Sequence, residues 1–349
     1  MTENETVTAI PTRWVGPVRI SGEDASGEIE VPLATYETPL WPSVGRGARV
    51  SRAVPDGIRT VVTGDRMTRS VLFLSPDATT AHRAAVALAD RLPELEEVVR
   101  SGSRHARLIE AHPEIVGNLL FVRFAFTTGD ASGHNMVTQA SDALMDRILS
   151  WDLGLEYGSI SGNYCSDKKA TAVNGILGRG RSVVAEILIP HDVVRDALRS
   201  DAGTISELVV RKNLVGSTIA GAIRSANAHY ANMLLAMYLA TGQDAANIVE
   251  GSQGITYAED RADGLYFSCT LPHLIVGTVG NGKGLPHVEA ALERLGCRQE
   301  RDSGQNARRL AAITAATVLC GELSLLAAQT NPGELMTAHR RLERGEAAR

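Results

Sequence analysis

Positive charge, cysteine pairs and long apolar runs are all scarce in this chain. The formal net charge is -5 over 349 residues, which argues against a general nucleic-acid binder, because that affinity rests on neutralised phosphates. A local basic pocket for a phosphorylated ligand stays open, built from individually placed arginines and lysines. The four cysteines, Cys165, Cys269, Cys297 and Cys320, form no C-x-x-C pair. Structural zinc is therefore not expected, and a reduced, cytoplasmic setting is the simpler reading. The start of the chain (Thr2–Thr6) is polar and acidic, unlike a secretory signal. The uninterrupted apolar run Met233–Ala240 is far too short to span a bilayer. The sequence thus predicts a soluble protein with no membrane or nucleic-acid partner and no metal. There is no G-x-G-x-x-G fingerprint, no Walker spacing, no internal repeat and no low-complexity linker. What is present is ordinary globular composition, 44% hydrophobic and 21% charged, in a chain long enough for two domains around a large core.

The first 30 residues read as extended and loop-rich. Trp41–Gly47 reads as a basic turn, with short β-rich stretches at Ala48–Val54 and Thr60–Val62. A different texture begins near Val71. Ser75-Pro76-Asp77 can start a helix through Ala78–Leu92, and Pro93 can open a second to about Arg100. Val122, Phe124 and Phe126 alternate in a strand over Asn118–Thr127, and Val137, Ala140, Leu144 and Ile148 stripe a helix over Gly133–Trp151. This predicts a small α+β unit, residues 71–158, inserted into a larger helix-rich unit formed by 1–70 and 159–349. In the larger unit, Gly216–Thr241 is expected to be a central helix lined by small residues. Phe267–Val276 is expected to be a strand, Asn306–Gln329 a long helix, and Asn331-Pro332-Gly333-Glu334 the start of a terminal helix carrying His339.

Five clusters could carry chemistry. Ser161–Ala170, SGNYCSDKKA, sets two lysines after an aspartate in turn-forming surroundings. Gly129–Met136, GDASGHNM, joins a strand to a helix, where backbone N–H groups can approach a phosphate. Gly277–Gly284, GTVGNGKG, holds four alternating glycines, more than one hairpin needs. Asp244 follows a helix C-terminus, where it opposes the macrodipole and calls for a partner such as a lysine. Ser225, His229 and Asn232 are expected on one helical face. Glu37 and His339, taken alone, would be solvated.

Together these segments closely resemble the catalytic part of hydroxymethylglutaryl-coenzyme A reductase, class I type, from about Val31 to His339. The most specific stretches are SGNYCSDKKATAVNGILGRGRSVV (161–184), GDASGHNM, NLVGSTIAGAIRSANAH (213–229), GQDAA (242–246) and GTVGNGKG. The resemblance implies an α+β fold with a large helix-rich substrate domain, a central helix, and an inserted ferredoxin-like cofactor domain. It implies two-step, NADPH-dependent reduction of the HMG-CoA thioester to mevalonate and CoA. Its catalytic residues would be Glu37 (in ATYET), Lys168, Asp244 and His339. Lys168 would stabilise the thioester oxyanion, Glu37 would donate a proton at the aldehyde stage, and Asp244 would couple the two. His339 would protonate the leaving thiolate.

The same resemblance assigns binding roles. Arg69, Ser161, Lys169 and Lys212 would grip the substrate carboxylate, and Asp167 its tertiary hydroxyl. His229 and Asn232 would support CoA or the thioester, and Ser43 and Arg46 the CoA phosphates, although Gly45 stands where the family has Asn. The cofactor would be held by Asp130, Ala131, Ser132, Gly133, His134, Asn135, Met136, Gly280 and Gly282. Ser103 and Arg104, in SRHAR, resemble a segment near the adenosine 2′-phosphate, with His105 in place of Phe; a guanidinium there suits NADPH over NADH. The DKK loop would complete a neighbour's site, implying a homodimer or larger homo-oligomer. Two alternatives are the same fold oxidising mevalonate with NAD⁺, and a CoA-binding protein without turnover.

Overall fold

The computed structural model describes residue 6 and residues 8–337. Its frame is a nine-stranded mixed sheet with helices packed against it. The hairpin of β1 (Thr12–Gly22) and β2 (Gly27–Ala34) opens the chain. Helix α1 (Leu40–Ala53) follows, and then β3 (Ile58–Leu74). The turn-rich reading of Trp41–Gly47 and the β reading of Ala48–Val54 are both overturned by α1. Pro42 falls in its first turn, where no N–H partner is lost. Gly47 is required because α1 presses against the long helix Gln305–Gln329, and a Cβ there would stand 2.2 Å from the Cys320 carbonyl oxygen.

Strand β3 is the spine of the molecule. Its first half, through Arg66, pairs with β7 (Gly180–Ile189). From Met67 onward it pairs with β5 (Leu119–Thr127), with β6 (Glu156–Ser159) alongside Leu72–Leu74. β4 (Arg107–Val116), which the sequence pattern did not reveal, pairs with β5. On the other side, β7 pairs with β9 (Gly264–Leu274), and β9 with β8 (Ile255–Arg261). The helices expected between Ala78 and Trp151 are present as α2 (Ala78–Asp90), α3 (Leu92–Gly102) and α4 (His134–Leu149). The Asp77 side chain accepts from the Thr80 N–H at 2.7 Å and caps α2.

Two buried apolar clusters follow the partner switch in β3. One joins Val71, Phe73, Leu88, Leu95, Phe124, Phe126 and Leu144. The larger joins β1, β2, α1, β7 and β9 to two inner helices, Tyr230–Ala240 and Gln305–Gln329. Of these, Gln305–Gln329 is long and apolar enough to cross a bilayer, but 94% of its apolar window is buried in the protein. It is a core helix.

The expected central helix over Gly216–Thr241 is broken. A π-helical stretch, Val209–Gly216, gives way to Gly221 and Arg224 at φ +70° and +48°, and a regular helix resumes only at Tyr230–Ala240. The cause is competition for backbone hydrogen bonds. The Ala226 N–H donates to the Gly254 carbonyl at 2.8 Å, and Ala228 and His229 N–H groups donate to the buried carboxylate of Glu322 at 2.6 and 3.1 Å. Ser225, His229 and Asn232 therefore share no helical face.

Candidate active site

A cleft of about 570 Å³ is lined by β3 residues Met67–Arg69, the loop Ala131–Gly133, the first turn of α4, Asp167, Lys168, Asp244, Val279, Gly280, Asn281 and Lys283. The loop carrying the lysines is tightly turned, with Asn163, Ser166 and Lys168 at φ +58°, +50° and +54°. Lys168 Nζ stands 2.7 Å from Asp244 Oδ2. The hydrogen bond to Asp244 raises the lysine above its ordinary value, so it is cationic at neutral pH. Burial pushes the Asp244 carboxyl up, but the Lys168 ammonium and the Ala246 N–H outweigh that and leave it lowered. The partner expected for Asp244 is thus found, although Asp244 itself caps the short turn Ala245–Asn247 rather than ending a long helix.

Asp167 is held from below. Its carboxylate accepts from Arg179 and lies 3.6 Å from His134 Nε2. Burial opposes its ionisation, yet the neighbouring His134 imidazole and the Arg179 guanidinium hold it well below the usual carboxylate range. Arg179 is 1% exposed and also donates to the Thr68 carbonyl and hydroxyl at 2.6 and 3.1 Å. Arg69 lines the cleft and donates to the Ile160 carbonyl at 3.1 Å. Lys169 bends back to the Asp167 carbonyl at 3.0 Å, and Ser161 is exposed at the start of the same loop. Lys212 is apart from these groups; burial lowers its pKa, and the neighbouring Glu322 carboxylate opposes that shift.

Backbone geometry shapes the opposite wall. Gly133 precedes α4 at φ +95°, and a Cβ there would stand 2.6 Å from Thr128 Cγ2. Gly277 lets the second glycine loop lie on Ala131 and Ser132; a Cβ would meet the Ser132 nitrogen at 2.4 Å. The N-terminus of α4 and the exposed backbone of Gly280 therefore face one cleft, an arrangement that suits an anionic dinucleotide. Ala131, Ser132, Gly133, His134, Asn135, Met136 and Gly280 all line it. Two expected neighbours do other work. Asp130 turns to the long helix and accepts from the Gly304 and Ala307 N–H groups at 3.1 and 2.9 Å, and Gly282 packs on Gly242. Ser103 accepts from the His105 and Ala106 N–H groups at the end of α3, with Arg104 exposed beside it; neither lines the cleft.

A second cleft, about 210 Å³, is lined by Glu37, Pro39, Leu40, Ser43, Arg46, His229, Leu325 and Glu334, among others. Glu37 accepts from Asn232 Nδ2 at 2.7 Å and lines this cleft, whereas Lys168 and Asp244 line the other. His229 Nδ1 lies 3.0 Å from Glu322, which fixes the ring proton on that nitrogen. Ser43 donates to Ser324 at 3.1 Å, and Arg46 bridges Ser324 to Glu334 at 2.7 Å. Glu334 begins the helical turn expected after Asn331, whose own side chain binds the Arg199 carbonyl at 2.9 Å instead of capping. His339 lies outside the described residues.

Four residues of these sites escaped sequence reasoning. Arg179 sat in a segment read only as a turn, and Lys283 in a loop read for its glycines. Glu250 gave no signal. Glu322 did give one, as the single acid in the apolar run Leu310–Leu326. Lys283 is 5% exposed, donates to the Gly242 carbonyl, and is pushed by burial down to about 8.

Comparison with known proteins places this geometry. The profile of the hydroxymethylglutaryl-coenzyme A reductase family matches residues 1–344. The chain is 45% identical to the 3-hydroxy-3-methylglutaryl-coenzyme A reductase of Aeropyrum pernix, over 96% of this chain and 80% of that one. It is equally similar to the Pyrococcus abyssi protein of that name, over 97% and 83%. The class II enzyme of Streptococcus pneumoniae, solved bound to NADPH, shares the fold with a TM-score of 0.74 at 21% identity, over 95% and 88% of the two chains. From the matched profile and these relatives, the chain belongs to the hydroxymethylglutaryl-coenzyme A reductase family.

Proposed function

We propose that this protein reduces the thioester of 3-hydroxy-3-methylglutaryl-CoA to the primary alcohol of mevalonate, releasing CoA, in the biosynthetic direction. NADPH supplies the two hydrides. The observation that carries the reading is the cationic Lys168, held at 2.7 Å by Asp244 on the wall of a cleft shaped by two glycine loops and a helix N-terminus. Reduction of a thioester carbonyl builds negative charge on its oxygen, and a positioned ammonium stabilises that charge. Asp244 keeps the ammonium charged and aimed. Arg69, on the same wall, is placed to meet the substrate carboxylate.

The residues present fit a phosphorylated dinucleotide, because the N-terminus of α4, the Gly280 backbone and Lys283 line one cleft. Arg104 and Ser103 would take a 2′-phosphate at the edge of the smaller unit, which favours NADPH over NADH. That unit, built on β4–β6, the second half of β3 and α2–α4 with a core of its own, reads as an inserted ferredoxin-like cofactor domain. The 161–184 motif supports a class I enzyme.

Glu37 and His229 stand in the second cleft, away from Lys168. This supports a composite site, in which the DKK loop of one chain meets the Glu37 cleft of a second copy. Glu37 would then donate at the aldehyde stage. His339, which follows the Arg46–Glu334 bridge, would protonate the thiolate.

The test is oxidation of NADPH or NADH by the purified protein with racemic HMG-CoA. Turnover with NADPH at least tenfold more efficient than with NADH is expected. A preference for NADH would favour the oxidative, NAD⁺-linked reading, and no turnover with either would refute the assignment.

A further inference from the structure

The Lys168–Asp244 pair joins two loops from distant parts of the chain, and neither loop is regular. Lys168 occupies the left-handed region at φ +54°, a conformation a non-glycine residue keeps only where its surroundings impose it. Asp244 caps a three-residue turn. Something must fix both backbones for the two side chains to meet.

Glu250 does so with one oxygen. Its side chain is fully buried, and Oε1 accepts from the Lys168 backbone N–H at 3.1 Å and from Asn247 Nδ2 at 2.9 Å. Asn247 in turn belongs to the Asp244 turn, because its N–H donates to the Asp244 carbonyl at 3.1 Å. The same oxygen faces Arg179 Nε at 3.8 Å, and Arg179 carries Asp167, the residue before Lys168. Burial raises the Glu250 carboxyl, so its ionised form is held at a cost. A buried acid of this kind is weak evidence for stability and better evidence for a specified geometry.

We propose that Glu250 is a positioning residue for the reduction: its buried carboxylate locks the Lys168 backbone to the turn that carries Asp244, and thereby sets where the ammonium stands in the cleft. The inference rests on the reductase reading above for its kinetic consequence, though not for its geometry. Glu250 touches neither the cleft surface nor any reacting atom. Its effect passes entirely through Lys168.

Three variants of the full chain test this. Glu250→Gln keeps the length and an acceptor oxygen. Glu250→Asp keeps the charge but is one methylene too short to meet both loops. Glu250→Ala removes the link. The expected kcat order is wild type, then Gln, then Asp, then Ala, with Ala down about 100-fold. The NADPH dissociation constant stays within about twofold, because the glycine loops and α4 are untouched. Trypsin, cutting after Lys168 or Lys169, provides a readout independent of activity, and cleavage should accelerate in Asp and Ala but not in Gln. If the Ala variant does not fold, the Asp and Gln pair decides. Wild-type kcat and wild-type tryptic rate in Glu250→Asp would overturn the proposal. A parallel loss of kcat, NADPH affinity and melting temperature in Asp and Gln alike would also overturn it, by showing a merely structural role. A wild-type protein without turnover would sink the reductase reading, while the tryptic pattern would still decide the Glu250 link.

Discussion

The Lys168 cleft is walled by charge and backbone, whereas the Glu37 cleft is walled by Pro39, Leu40, Leu325, Ala328 and Leu335 with a few polar groups among them. The first is larger and faces the N-terminus of α4. The second lies between α1 and the core helix. The first suits anionic groups, the second an apolar chain with a polar end. Each holds only part of the expected catalytic set. The division teaches that the two clefts rest on separate buried networks, Arg179–Glu250 under one and Glu322–His229 under the other.

Breaking the first network at its exposed end should have the largest effect. Lys168→Met is expected to lower kcat by about 100- to 1,000-fold, the scale for losing a group that stabilises an oxyanion. Melting temperature should be unchanged, since this lysine is exposed on its loop. Steady-state kinetics and calorimetry together check it.

The second network should show its weight in stability. Glu322→Gln removes a buried carboxylate that accepts from Ala228, His229 and Thr256, and should cost about 1–3 kcal/mol. Burial pushes Glu322 up, but the His229 bond and its other donors leave it lowered on balance. A depressed carboxyl contributes stability above its unfolded value and loses it as pH falls through the folded one. Wild type should therefore lose more stability than Glu322→Gln on acidification below pH about 4.5, as urea melts across pH would reveal.

The smallest effect sharpens the contrast. Lys283 lines only the charged cleft, and burial lowers it to about 8. Its positive charge is present below that pH and lost above it. NADPH affinity of the wild type should fall as pH rises from 7 to 9, by about fivefold, the order of 1 kcal/mol for one partly screened charge pair. Lys283→Met should show the weaker affinity at both values. Fluorescence titration of NADPH distinguishes the two, and an identical pH slope in both proteins would remove Lys283 from the site.

Much of this was legible in the sequence where periodicity and motif coincide. The strand through Val122 and Phe126, the helix start after Ser75-Pro76-Asp77 and the long helix to Gln329 all stand where their patterns place them. Local rules failed where a tertiary contact overrode them. Glycines 45 and 47 suggested a turn, yet they sit in α1, where Gly47 serves the close approach of the Cys320 backbone rather than a turn. Small residues after Gly216 suggested a helix, but Glu322, about a hundred residues away, takes the backbone donors that would have continued it. The site divides in the same way. Motifs marked Lys168, Asp244 and the loop at Gly133. The buried groups that orient them, Glu250 and Arg179, have no local signature, because their meaning arises only from what the fold stacks above them.

The most direct test of the composite site mixes two inactive variants, Lys168→Met and Glu37→Gln, after dissociation and reassembly. If Lys168 of one chain serves Glu37 of another, random pairing leaves one intact site in half of the dimers, and about a quarter of wild-type activity should return. If both residues act within one chain, every site keeps one defect. The mixture would then stay as inactive as its components, and the composite site would be contradicted.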